Sequence, residues 1–286
     1  MAATILDFHT KQASQTNVGI NSKYSTWTGT FSGQTRKARF GKLDDFKQGL
    51  DSHLGMPSFN VKQQMYREHC LSHDSYTKFC PPNNKDIETC PAWEYDYVLN
   101  YDDTKEYPGG GDRKGGVLHD FMKHPNAKAS GLTEDEVAAL RLYSGPMYLF
   151  YNLVLRLGLR EFITTIHAIV SGIIKLASIM VLPYNRKVYR GLSGQELPDA
   201  FWEEDEYGAK GGVEFGIMST TTNKAVAIQY SSHGRIPTIF EIEVGQVDRG
   251  AELNWISVRP LDCFFMLYCS ALSHYALSLH SYHYIT

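Results

Sequence analysis

The pattern of apolar and polar positions changes character several times along the chain. Over the first forty residues Gly, Ser, Thr and Gln are prominent and no period holds, which predicts a loosely ordered arm over residues 1–42. From about Leu43 to Asn100 aromatic residues recur at Phe46, Phe59, Tyr66, Phe79, Trp93, Tyr95 and Tyr97, so 43–106 reads as an N-terminal globular region. Within it Asn60 to Ser72 has helical character, with Val61, Met65 and Tyr66 on one side. The run from Tyr107 to Gly116 has glycines that pack nothing and charges that hold water, and 107–131 reads as a glycine-rich linker.

Helical signals dominate next. Thr133 is a cap with Glu136 three residues on, a capping box, and Leu140, Tyr143, Met147 and Phe150 follow at helical intervals. Ser144-Gly145-Pro146 breaks the run, after which Tyr151 to Leu157 and Phe162 to Met180 read as two further helices. Beyond Arg186 the pattern shortens into strands at Lys187 to Leu192, Glu214 to Thr220, Pro237 to Val244 and Ala251 to Ser257. Ile239 to Val244 alternates as a half-buried strand does, and Asn223 caps a short helix through Ala225, Val226, Ile228 and Tyr230. Helices first and strands second predict an α+β fold.

Composition narrows the function. The chain has 286 residues, 43% hydrophobic and 21% charged, as in an ordinary soluble globular protein. A net charge of -3 supplies no basic field for phosphates, so no nucleic-acid partner is expected. Five cysteines with no secretory pattern in Met1 to His9 point to free thiols and a cytoplasmic location. His69, Cys70, His73 and Cys80 do not have the spacing of a metal finger, and no metal is expected. Phe162 to Leu182 has the length of a bilayer span, but Lys175 at its middle favours a buried core helix and no membrane partner.

The candidate chemistry lies in Val188-Tyr189-Arg190-Gly191-Leu192 and in the Ser219 that follows 29 residues after Arg190. A guanidinium is a planar fork of donors matched to phosphate oxygens, and a serine hydroxyl both donates and accepts. Each residue alone is as much at home in a surface ion pair or a strand end, but the order of motifs is specific. Tyr189-Arg190-Gly191, then Phe215 to Thr221, then Ile239-Phe240-Glu241-Ile242, then Arg249-Gly250-Ala251 resemble the arginine-specific mono-ADP-ribosyltransferases. The helical lead-in resembles theirs too, at Leu140 to Gly145, Asn152 to Arg156 and Thr164 to Leu176.

The resemblance marks 132–257 as an ADP-ribosyltransferase-like domain and implies a split β core of two small sheets behind an N-terminal helical subdomain. It implies NAD as co-substrate, with NADP beside it, and an acceptor protein with an exposed arginine. Carried over, Arg190 binds the diphosphate or the nicotinamide-side ribose, and Gly191 meets the nicotinamide amide through its backbone. Ser219 orients the ribose and a catalytic carboxylate, and Thr220 supports the strand end; Arg190 and Ser219 are the catalytic pair. The chain departs from the family after the tryptophan-containing strand, where a Glu-x-Glu belongs: no glutamate lies between Ser257 and Thr286. Glu241-Ile242-Glu243 has that spacing but reads as the solvent face of a strand, Glu252 and Asp262 are weaker substitutes, and Glu203 to Glu206 read as a solvated loop. The tail 258–286 is divergent, with Asp262 as its single acid, and replaces the family's last two strands, which are expected to be missing. An NAD-binding module without turnover and an NAD glycohydrolase are the alternative functions.

Overall fold

The computed structural model of the chain describes residues 60–71, 91–105, 107, 113–157, 161–181, 184–185, 187–192, 202–203, 216–232, 238–245, 250–258, 264–267 and 280–281. The arm over 1–42, the cysteines at 80 and 90 and the acid at 262 lie outside the described residues.

Seven helices precede the first strand among the described residues: α1 (Val61–Tyr66), α2 (Pro91–Leu99), α3 (Leu118–Met122), α4 (Pro125–Ser130), α5 (Glu134–Ser144), α6 (Tyr148–Leu157) and α7 (Ile163–Ile179). A π-helical turn, Arg67–Leu71, extends α1. Helix α5 is the axis of the core. Its start is the expected capping box: Thr133 Oγ1 accepts from Glu136 N (3.3 Å) and the Glu136 carboxylate accepts from Thr133 N (2.8 Å). Every residue from Val137 to Ser144 is buried. The same Glu136 carboxylate pairs with Lys175 Nζ at 2.8 Å and accepts from Ser171 Oγ, locking α7 along α5.

Helix α7 is a core helix, as Lys175 predicted, and no described helix is long and apolar enough to cross a membrane. Its N-cap residue Phe162 sits in the left-handed region (φ 54°) and offers no capping side chain. The cap comes instead from Glu68 of the π-helical turn, which accepts from Thr164 N (2.8 Å), Thr165 N (3.1 Å) and Thr165 Oγ1 (2.7 Å). A carboxylate is the favoured group at the positive end of a helix. Residues 60–71 are thereby fastened to the helical core.

Of the expected glycine-rich linker, residues 108–112 lie outside the described residues. From Arg113 onward the segment packs: Leu118 of α3 and Ala127 of α4 belong to the same buried core as Tyr143 and Ile169. Arg113 pairs with Glu94 at 2.8 Å, both side chains all but excluded from water, and lies over the Trp93 ring.

The strand region follows as β1 (Lys187–Leu192), β2 (Met218–Thr221), helix α8 (Lys224–Ser231), β3 (Thr238–Glu243), β4 (Ala251–Glu252), β5 (Phe264–Leu267) and β6 (His280–Ser281). The α+β class is as expected, but the described strands join in one antiparallel sheet of order β4-β5-β2-β1-β3-β6 rather than in the two small sheets that the resemblance implied. The tail supplies two of its strands. Ser219 pairs with Met266 and Thr220 with Phe265 on β5, and Phe240 pairs with Ser281 on β6. The expectation that the last strands are missing is therefore corrected: an unpaired strand edge is an open row of N–H and C=O groups, and the tail closes two such edges.

The expected strand Ala251 to Ser257 is also corrected. Only Ala251–Glu252 is strand; Ile256 N and Ser257 N turn back onto Leu253 O (3.1 and 2.9 Å). Leu253, Ile256 and Val258 enter the helical core, which a turn permits and an extended strand does not. Arg141, fully buried on α5, donates to Ile256 O and to Lys114 O at 3.0 Å each and lies over the Phe121 ring.

Candidate functional site

Strand β1 forms over the span its sequence pattern predicts, and Arg190 stands in it opposite Phe240. Its guanidinium is half-buried and donates through NH1 to the main-chain oxygen of Ser219 at 3.2 Å. The two residues singled out in the sequence are thus neighbours, but through a guanidinium and a peptide carbonyl. β1 and β2 run antiparallel, with Tyr189 paired to Thr221.

The Ser219 hydroxyl turns toward the helices. There Tyr143 of α5 and Asn152 of α6 form a buried polar cluster against the start of β2. Tyr143 OH donates to Ile217 O at 2.8 Å, Asn152 Nδ2 donates to Tyr143 OH at 3.1 Å, and Ser219 Oγ lies 3.5 Å from Tyr143 OH. Asn152 also accepts from Ile217 N at 2.7 Å and donates to Ile217 O at 3.2 Å. Burial pushes the Tyr143 hydroxyl pKa up, against the opposing pull of its bonds to Ser219 and Asn152, so it remains a phenol donor at neutral pH.

Gly191 is explained by packing. A Cβ at that position would sit 2.1 Å from Ala227 O and 2.9 Å from Ser231 N, both on α8. The missing side chain admits a helix backbone against β1 at the point where the sequence reading placed a nicotinamide contact. Asn223 caps that helix as expected, accepting from Ala225 N at 3.0 Å. Thr220 is buried, one position from the Arg190 contact.

The acids distribute as follows. Glu241, opposite Tyr189 in the β1–β3 register, reaches diagonally to pair with Lys187, and Glu243 is exposed. Glu252 is exposed and accepts from Asn254 Nδ2 at 3.0 Å. The cross-strand pairs Glu252–Phe265 and Phe265–Thr220 set Glu252 two strand spacings from Thr220, about 10 Å between backbones. Glu203 is exposed, and the rest of that acidic loop lies outside the described residues. Among the described residues no group of three or more His, Cys, Asp or Glu side chains is placed to hold a metal ion.

His69 is structural. Its Nδ1 lies 2.7 Å from Met65 O and its Nε2 2.7 Å from Tyr151 OH. A carbonyl only accepts, so the proton sits on Nδ1 and the tyrosine donates to Nε2.

Tyr143 and Asn152 fall in the helical stretches that carried the resemblance, but nothing in the sequence assigned either a role at the site. The available signal was Asn152 itself, an amide inside Tyr151 to Leu157: such a residue on a core face must find partners for its donors and acceptor.

No protein-family model matches the chain, and no curated protein matches it. Among solved structures it is similar to a crystal structure of the eucaryotic mono-ADP-ribosyltransferase ART2.2, with a TM-score of 0.43 and 15% identity over 85% of this chain and 83% of that one.

Proposed function

We propose that this chain binds NAD at the junction of β1 and β2 and transfers its ADP-ribose to an arginine of an acceptor protein. The observation that carries the reading is the contact of Arg190 with the Ser219 peptide, which brings together at 3.2 Å the two motifs that resemble the arginine-specific family. Arg190 supplies the cationic fork for the diphosphate, and the end of β2 supplies hydroxyls for the ribose.

In the transfer the bond from the ribose carbon to the nicotinamide nitrogen breaks, and its electron pair leaves with neutral nicotinamide. A nitrogen of the acceptor guanidinium bonds to that carbon and gives up a proton. The departing bond leaves positive charge on the sugar, as in glycoside cleavage, so rate comes from placement and from negative charge nearby. A second reading, binding without turnover, is favoured by one fact: no glutamate lies between Ser257 and Thr286.

Incubation with NAD labelled in the adenosine and an arginine-rich acceptor protein separates the readings. Label on the acceptor supports the transferase, free ADP-ribose a glycohydrolase, and saturable binding without either product a binding module. Arg190→Ala is expected to weaken NAD binding by about tenfold or more, since a charge-assisted contact contributes about 1.5–3 kcal/mol. Unchanged affinity in that variant would place the nucleotide elsewhere.

A further inference from the structure

We infer that Tyr143 and Asn152 are positioning residues for the nucleotide site, setting the place of β2 and the direction of the Ser219 hydroxyl; the inference rests on the NAD-binding reading. Ile217 immediately precedes β2. Its N–H and C=O both engage the side-chain amide of Asn152, at 2.7 and 3.2 Å. One side chain thus does for Ile217 what a neighbouring strand does for a strand residue, and the peptide that starts β2 is fixed from α6. Tyr143 adds a second donor to the same carbonyl from α5.

Counting protons gives the direction. A phenol has one O–H and two lone pairs. Its proton goes to Ile217 O, which can only accept, and one lone pair takes the Asn152 N–H. Toward Ser219 the Tyr143 oxygen then has only a lone pair left, so Ser219 is the donor in that contact. The 3.5 Å separation is long for a hydroxyl pair, and the peptide of Ile217 is accordingly the stronger tether. With its proton turned to Tyr143, Ser219 Oγ presents lone pairs outward. It is set to accept from a donor, such as a ribose hydroxyl, whereas anionic oxygens are left to Arg190. The arrangement joins the two contacts, because the Ser219 residue held by Tyr143 through its side chain is the one whose carbonyl receives the Arg190 guanidinium.

The test is a double-mutant cycle on NAD affinity, measured by titration calorimetry on the full chain. Tyr143→Phe removes only the hydroxyl and is expected to weaken NAD about fivefold, the size of one hydrogen bond. Ser219→Ala is expected to weaken it by a similar factor, and the double variant to be no weaker than Ser219→Ala alone. Tyr151→Phe is the control. That tyrosine is equally buried, and its hydroxyl bonds His69 away from β2, so its loss should lower the melting temperature yet leave NAD affinity within about twofold. Asn152→Asp, which keeps the acceptor for Ile217 N and loses both donors, carries the same test should Tyr143→Phe fold poorly. Additive losses in the cycle, or a Tyr151→Phe defect as large as that of Tyr143→Phe, would overturn the inference while leaving the functional reading standing. A wild-type chain that binds no NAD sinks the functional reading, and the inference with it.

Discussion

At the scale of single residues, the buried polar groups decide how this core responds to pH. His69 is enclosed by Tyr95, Tyr151 and Phe162, and burial pushes its pKa down to about 4 from the ordinary 6.5. The unfolded chain binds a proton on His69 below about pH 6.5, and the native protein only near pH 4. Stability from the neutral ring is therefore full above pH 6.5 and is lost as pH falls through that window. Over its whole width the loss comes to about 3 kcal/mol. Glu68, one residue before, works the other way: burial raises its pKa, opposed by the bonds from Thr165 and Thr164. Its contribution is greatest in acid and shrinks as pH rises through the elevated value. Chemical denaturation of the wild type should show stability falling between pH 6.5 and 5, and His69→Gln should flatten that slope by about 2 kcal/mol over the same interval. An equal slope in both proteins would mean that His69 titrates normally.

At the scale of elements, the packing of α8 on β1 depends on one absent side chain. Asn223 caps α8 locally, but the seat of the helix is the bare Cα of Gly191, with the Ala227 carbonyl oxygen 2.1 Å from where a Cβ would lie. That oxygen belongs to helix backbone and cannot swing aside as a side chain can. In Gly191→Ala either α8 or β1 must shift, at a cost of about 1–3 kcal/mol. Since β1 also bears Arg190, the displacement should weaken NAD affinity along with stability. Thermal unfolding and NAD titration of Gly191→Ala check both together. A variant that melts like the wild type and binds NAD as tightly would show that the helix seats elsewhere. The same element explains a difference between sequence and structure: the glycine stood out in the sequence for an expected ligand contact, while the helix backbone it packs against, 36 positions on at Ala227, did not.

At the scale of the whole molecule, the legible features are those carried by nearby residues. The Thr133–Glu136 capping box, the Asn223 cap, the ends of β1 and the core character of α7 all follow from short stretches of sequence. The features that escaped it are closed by distant partners: Glu68 capping α7, Asn152 pairing with Ile217, and Arg141 turning the chain at Ile256, 115 residues away. The tail is the largest of these. Its sequence departs from the pattern of the rest, yet β5 pairs with both β2 and β4, and β6 with β3. Ending the chain at Val258 would remove the partner of β4 and turn β2 and β3 into edges. The row of free main-chain groups so exposed includes Ser219 and Thr220, the residues proposed to face the nucleotide. The shortened chain should melt about 5 °C lower or more, for a loss of about 2 kcal/mol in a protein of this size, and should form more aggregate at equal concentration. Size-exclusion chromatography alongside the melt reads both effects. If the shortened chain keeps the full melting temperature and elution profile, the tail strands contribute nothing to the sheet. If it stays dispersed but loses NAD affinity, β5 serves chiefly to hold the Ser219–Thr220 end of β2 in register.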